Sequence, residues 1–95
     1  MARVQVSTIA ARDLVELIES HGLPKDAPAR VRRSLGRLAS FPRIGRPLDG
    51  RWEGAHLVLG PWTWMLIVYD YDSDLDVVSI LRIQDARAST AATAG

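Results

Sequence analysis

Cysteine is absent from the 95 residues, which excludes disulfides, thiolate metal ligation and a thiol nucleophile. No apolar run approaches the roughly 18 residues that a membrane-crossing helix needs. Met1-Ala2-Arg3-Val4 does not open a signal-peptide-like apolar run, so a cytoplasmic protein is expected, with no membrane partner. His21 and His56 are the only histidines and no Gly-x-Ser-x-Gly turn is present, which leaves no hydrolytic triad. The net charge is only +1, so no global field draws the chain to nucleic acid. Lysine is nearly missing: Lys25 stands alone beside eleven arginines, nine of them at or before Arg51. Arginine favours bidentate contact with carboxylate or phosphate. Acid gathers later, at Asp70, Asp72, Asp74 and Asp76.

What is present is an ordinary globular mix, 47% hydrophobic and 24% charged. A chain of this size supports one core. The expected organisation is a single domain over residues 1–87 and a flexible tail over 88–95, which lacks large apolar side chains. Val4 and Val6 flank Gln5 as a short edge strand. Ser7 or Thr8 caps a helix whose apolar stripe is Ala10, Leu14, Leu17, Ile18 and His21, and Gly22 with Pro24 ends it. Asp26 and Pro28 open a second helix with Ala27, Val31, Leu35 and Leu38 inward, stopped at Phe41-Pro42. The short connection makes the pair an antiparallel hairpin.

Residues 42–50 read as a loop. Strands follow at His56 to Leu59, Trp62 to Tyr69 and Asp76 to Gln84, with residues 70–75 as a hairpin connection. Strict alternation puts Val77, Ser79, Leu81 and Ile83 on one face of the last strand and Val78, Ile80, Arg82 and Gln84 on the other. Trp64 is expected to share a core face with Leu66 and Val68. The fold class is α+β: a short N-terminal strand and an antiparallel helix hairpin packed on one face of a mainly antiparallel sheet, with the other face open to a partner.

The alternating aspartates fail as a calcium loop. Counted from Asp70, the sixth and twelfth positions are Leu75 and Leu81, where glycine and glutamate are needed, so no metal and no cofactor are expected. His21 sits where a helix C-terminus favours partial positive charge. Arg30, Arg33 and Arg37 share a helix face, read first as solvated and paired with Asp13 or Glu16, and second as a phosphate site. Arg51, Glu53, His56, Arg82, Asp85 and Arg87 form a more pointed set. Phosphodiester cleavage through a ribose 2′-hydroxyl needs a base, an acid and cations for the developing charge. His56 or Glu53 supplies the proton acceptor, and Arg51, Arg82 and Arg87 the cations, if the fold brings them together. Trp52 beside Arg51 is placed either to bury area or to stack on a base. With Arg43, Arg46 and Asp85 it makes a candidate set for nucleic-acid or partner binding.

Taken in order, Ser7-Thr8-Ile9-Ala10-Ala11-Arg12-Asp13-Leu14, then Phe41 to Gly50, Val68-Tyr69 and Ile80 to Arg87 resemble the RelE/ParE superfamily of toxins from type II toxin–antitoxin systems. The resemblance spans about residues 4–87. It implies a growth-inhibiting toxin silenced by a cognate antitoxin, with no small-molecule substrate. RelE-like members cleave mRNA on the ribosome without a metal, and ParE-like members inhibit DNA gyrase. The sequence departs from the ribonuclease pattern. Met65 and Leu66 stand where an arginine is usual, Val58 replaces a basic residue, and Gln84-Asp85-Ala86-Arg87 replaces a terminal His or Tyr. The Pro42 to Arg46 element looks more ParE-like. Gyrase inhibition is therefore favoured over a ribosome-dependent endoribonuclease, with an inactive binding module as a third reading.

Overall fold

The structure is a computed structural model that describes residues 1–88 and 91–93. Its elements run β1 (Arg3–Val6), α1 (Thr8–His21), α2 (Ala27–Ser40), β2 (Arg46–Pro47), a 3-10 turn (Gly50–Trp52), β3 (His56–Leu59), β4 (Met65–Asp72) and β5 (Val77–Asp85). The helix boundaries follow local chemistry. Ser7 accepts the Ala10 N–H at 3.0 Å through its side chain, and Gly22 ends α1 at φ 60, a left-handed position that glycine fills without strain. Asp26 precedes α2 but makes no capping bond; its carboxylate instead takes the Arg30 Nε–H at 3.0 Å. Pro28 occupies the first turn as expected.

The five strands form one sheet in the order β1-β5-β4-β3-β2, antiparallel except where β1 runs parallel to β5. Both helices lie on one side. Val31, Leu35 and Leu38 of α2 and Ala10 of α1 pack with Met65, Ile67 and Tyr69 of β4 and Val78, Ile80 and Ile83 of β5. The architecture thus agrees with the expected α+β class, and the described residues form five strands where four were expected. The extra one, β2, falls within the segment read as a loop.

Several local expectations are corrected. The third strand begins at Met65, because Trp62 to Met65 closes a turn through the Met65 N–H to Trp62 O bond at 2.9 Å. Trp64 consequently lies against the helix-side core and not with Leu66 and Val68. That strand also continues to Asp72, whose carboxylate accepts the N–H groups of Asp74 and Leu75 and tightens the turn. Asp76 then turns the chain at φ 54. In β5, Arg82 pairs with Val68 but Ile80 pairs with Tyr69, so Leu81 is an extra residue: a β-bulge. The bulge reverses the parity, and Ile83 continues the Val78–Ile80 face in place of Arg82.

The face away from the helices is not left bare. Leu57, Leu66, Val68 and Ala55 are buried there beneath Leu48 and Trp52 from the segment before β3, and beneath Ala91 and Ala92. Of the tail expected over 88–95, residues 89, 90, 94 and 95 lie outside the described residues. Ala91 is 2% exposed and the Ala92 N–H donates to Gln84 Oε1 at 2.9 Å, so this part of the tail is packed on the sheet.

Candidate functional site

The sequence-predicted residues divide between the two sides of β4, the β5 side next to α1 and the β3 side. On the β5 side, Asp13 is the hub. Its carboxylate takes Arg82 Nε at 2.7 Å and Nη2 at 3.1 Å, and also the backbone N–H of Ile83 at 3.0 Å. Those bonds push the Arg82 guanidinium further up, against a smaller opposing effect of burial. Asp13 holds Arg82 and not the α2 arginines expected to pair with it, and the sequence carries a signal for this buried role. It lies three residues after Ala10 and four before Leu17, on the apolar stripe, where a carboxylate needs a buried partner.

The same side holds a second knot. Asp85 accepts Arg87 Nε at 3.1 Å, Nη2 at 3.0 Å and the Arg87 backbone N–H at 2.9 Å. The Arg87 side chain, followed by its backbone N–H and the His21 contact, holds the Asp85 carboxyl well below the usual carboxylate range. His21 Nε2 lies 2.9 Å from Asp85 Oδ2, and the imidazole stacks on Trp64 at 3.9 Å between centroids. The role of His21 is thus more than a helix-end charge: it ties α1 to the end of β5. A cleft of about 310 Å³ opens beside this knot, lined by Glu16, Ser20, Arg82 and Asp85 among others.

On the β3 side, His56 of β3 pairs with Tyr69 of β4, and the two rings stack at 5.5 Å. Tyr69 is fully buried and its phenolic oxygen accepts the Gly45 N–H at 2.8 Å. Burial pushes the Tyr69 phenol up, against the Gly45 bond and the charge of Arg37. Only glycine fits at position 45: a Cβ there would stand 2.6 Å from the Tyr69 hydroxyl and 2.9 Å from the Leu57 carbonyl oxygen. His56 Nδ1 is buried without a hydrogen-bond partner among the described residues. Arg43 lies over the Tyr71 ring at 5.0 Å, and Tyr71 donates to Asp76 at 2.7 Å, the bond that chiefly raises its phenol pKa. Arg46 and Glu53 are exposed. Arg51 lies over the Trp52 ring at 5.7 Å, and Trp52 packs on the second core.

The fold therefore joins Arg82, Asp85 and Arg87 on one side of β4 and places His56, Glu53, Arg51 and Trp52 toward the other. β4 runs between them, so β3 and β5 backbones stand about 10 Å apart. His56 faces the helix side with Tyr69, whereas Trp52 covers the opposite side. No group of three or more metal-ligating side chains gathers among the described residues.

Neither a family model nor a curated protein matches the chain. Solved structures do. A chain of the RelBE2 toxin–antitoxin complex from Mycobacterium tuberculosis is similar at 29% identity and TM-score 0.65, covering 88% of this chain and 96% of that one. A chain of the intact Escherichia coli RelBE toxin–antitoxin complex shares 14% identity at TM-score 0.65, covering 93% and 100%. A conserved hypothetical protein of Helicobacter pylori shares 15% identity at TM-score 0.59, covering 90% and 94%. The last two speak for the fold alone. In fold the chain is RelE-like, and over 88% of its length it is similar in sequence to a chain of the RelBE2 complex.

Proposed function

We propose that the chain is the toxin of a type II toxin–antitoxin module, neutralised by a cognate antitoxin, and that it arrests growth by binding its target and not by cutting RNA. The toxin reading is supported by the likeness to chains of toxin–antitoxin complexes. The non-cleaving reading is carried by one observation: both arginines proposed as phosphate cations on β5 and beyond lie across β4 from His56. Arg82 is held there by Asp13 and Arg87 by Asp85. A general base needs its cations within reach of the same phosphate. The sheet face opposite the helices is closed over Leu57, Leu66 and Val68, an apolar layer that offers a phosphate nothing. Gyrase is the target to test first, because the Pro42 to Arg46 element looks ParE-like.

The test is inducible expression with and without the antitoxin, with transcript ends mapped and purified protein added to a gyrase supercoiling assay. Growth arrest with intact transcripts and blocked supercoiling is expected. Discrete, ribosome-dependent cuts in mRNA overturn the non-cleaving reading and restore the endoribonuclease. Harmless expression without the antitoxin favours the inactive binding module.

A further inference from the structure

The near-neutral net charge conceals two poles. Residues 25–51 carry eight basic and two acidic side chains, and the rest of the chain four basic and nine acidic. The basic pole centres on α2, which holds Arg30, Arg32, Arg33 and Arg37 and no acidic residue. Its buried stripe is Val31, Leu35 and Leu38, so the arginines face outward. Three of them, Arg30, Arg33 and Arg37, line an open trough of about 500 Å³ with Ser34 and Pro61. No carboxylate among the described residues lines it.

The geometry points to a binding site for the phosphodiester backbone of duplex nucleic acid on this outer face of α2. Arg37 is aimed by two carbonyls, donating from Nη2 to Leu59 O at 3.1 Å and from Nε to Ser34 O at 3.4 Å. A guanidinium has five N–H donors, so the remaining ones stay available to a phosphate. Arg30 is steadied over the Trp62 ring at 5.7 Å. Its pair with Asp26 is exposed on both sides, and a contact of that kind yields readily to a stronger anion. Arg33 forms no ion pair or hydrogen bond among the described residues.

The spacing selects the ligand. From Arg30 to Arg37 the helix rises about 10 Å, longer than one phosphate and suited to several in a row. A protein partner fits less well. Stable protein contacts centre on a large apolar or aromatic anchor, and the trough side of α2 offers only Arg, Ser and Pro61. Exposed apolar anchors lie beyond the helix end, at Phe41 and Ile44, and leave the arginines to another ligand. Single strands need open aromatic platforms, but Trp62 is half-buried beneath Arg30 and packed on the helix-side core. What remains is sequence-independent recognition of a duplex backbone by charge. The trough borders the β3 side through Arg37 but shares no residue with the candidate set there, and it does not rest on the toxin reading.

Fluorescence anisotropy of the full chain with a labelled duplex of roughly 20 bp at about 50 mM salt tests it. Binding that weakens steeply with salt is expected. The Arg30→Gln/Arg33→Gln/Arg37→Gln variant should lose roughly 10- to 100-fold in affinity, with a log–log salt slope shallower by about 2–3. Glutamine keeps the helix propensity of α2. Should the triple variant not fold, Arg33→Gln alone should lose about 3-fold and lower the slope by about 1. The Arg3→Gln/Arg12→Gln control, which removes charge elsewhere, should stay within about 2-fold. An equal loss in that control overturns the proposal, as does binding confined to a single strand. So does tighter binding of polyglutamate than of the duplex, which would make the ligand an acidic protein segment.

Discussion

The two faces of the sheet are built on different terms. Toward the helices, Tyr69, Leu38, Met65 and Ile67 are wholly buried under two helices. Away from them, Leu57, Leu66 and Val68 are buried under short pieces: Leu48, a three-residue turn ending at Trp52, and the alanines near the C-terminus. One layer is a packed unit of secondary structure. The other is an assembly of loops, and Trp52 Nε1 is left inside it without a hydrogen-bond partner among the described residues. A chain of this length can afford one full core. The second cover is thin, and displacing it is expected to leave the domain folded.

The sharpest way to break that contrast is a matched pair of truncations. Leu38→Ala opens a cavity where α2 meets the sheet and should cost about 3–4 kcal/mol. Leu57→Ala removes the same atoms beneath a cover free to settle, and should cost about 2 kcal/mol. Urea denaturation of both reads the difference directly. Equal losses would make the faces equivalent.

This contrast also marks where the sequence was readable. The helix layer was legible because its signals are local: Ser7 before α1, Gly22 after it, Pro28 in the first turn of α2, and apolar residues at helical spacing. The bulge at Leu81 was not legible, because an extra residue leaves no mark in alternation until its pairing partners are known. It moved Ile83 into the core and left Arg82 to Asp13, almost seventy positions away along the chain. The candidate site failed to converge for a similar reason. The order of the last three strands already puts β4 between His56 and Arg82; what alternation alone cannot show is that Arg82 turns to Asp13. The burial of Ala91 was missed because small side chains carry little pattern.

The charged β5 side sharpens the comparison further. Asp13→Ala leaves the Ile83 N–H and the Arg82 guanidinium without their acceptor, at an expected cost of about 2 kcal/mol given that Arg82 is partly open to solvent. Asp13→Asn keeps one acceptor and should lose less; thermal melts of the two variants check the order. Asp85 gives a test by pH. Its carboxyl titrates lower folded than unfolded, so its contribution is complete above the unfolded value of about 4 and fades as pH falls toward the folded value. The melting temperature of Asp85→Asn should therefore trail that of the parent at neutral pH, and the gap should narrow below about pH 4. A gap that stays constant down to strong acid would mean that Asp85 acts by packing alone.

The smallest effect is expected where the cover is thinnest. Ala91 is buried on Leu66 and Val68, and Ala91→Glu places a carboxylate against them. A charge in the helix-side core would unfold the protein, because no element there can leave. Here the terminal segment can lift away and hydrate the new carboxylate, so the loss is limited to the contacts of that segment, about 1 kcal/mol. Hydrogen exchange separates the two cases. The Ala92 amide, which donates to Gln84, should lose its protection, while the amide of Ile67 in β4 keeps the exchange rate of the parent. If the Ile67 amide speeds up as much as that of Ala92, the terminal segment is coupled to the whole domain and the two faces stand or fall together.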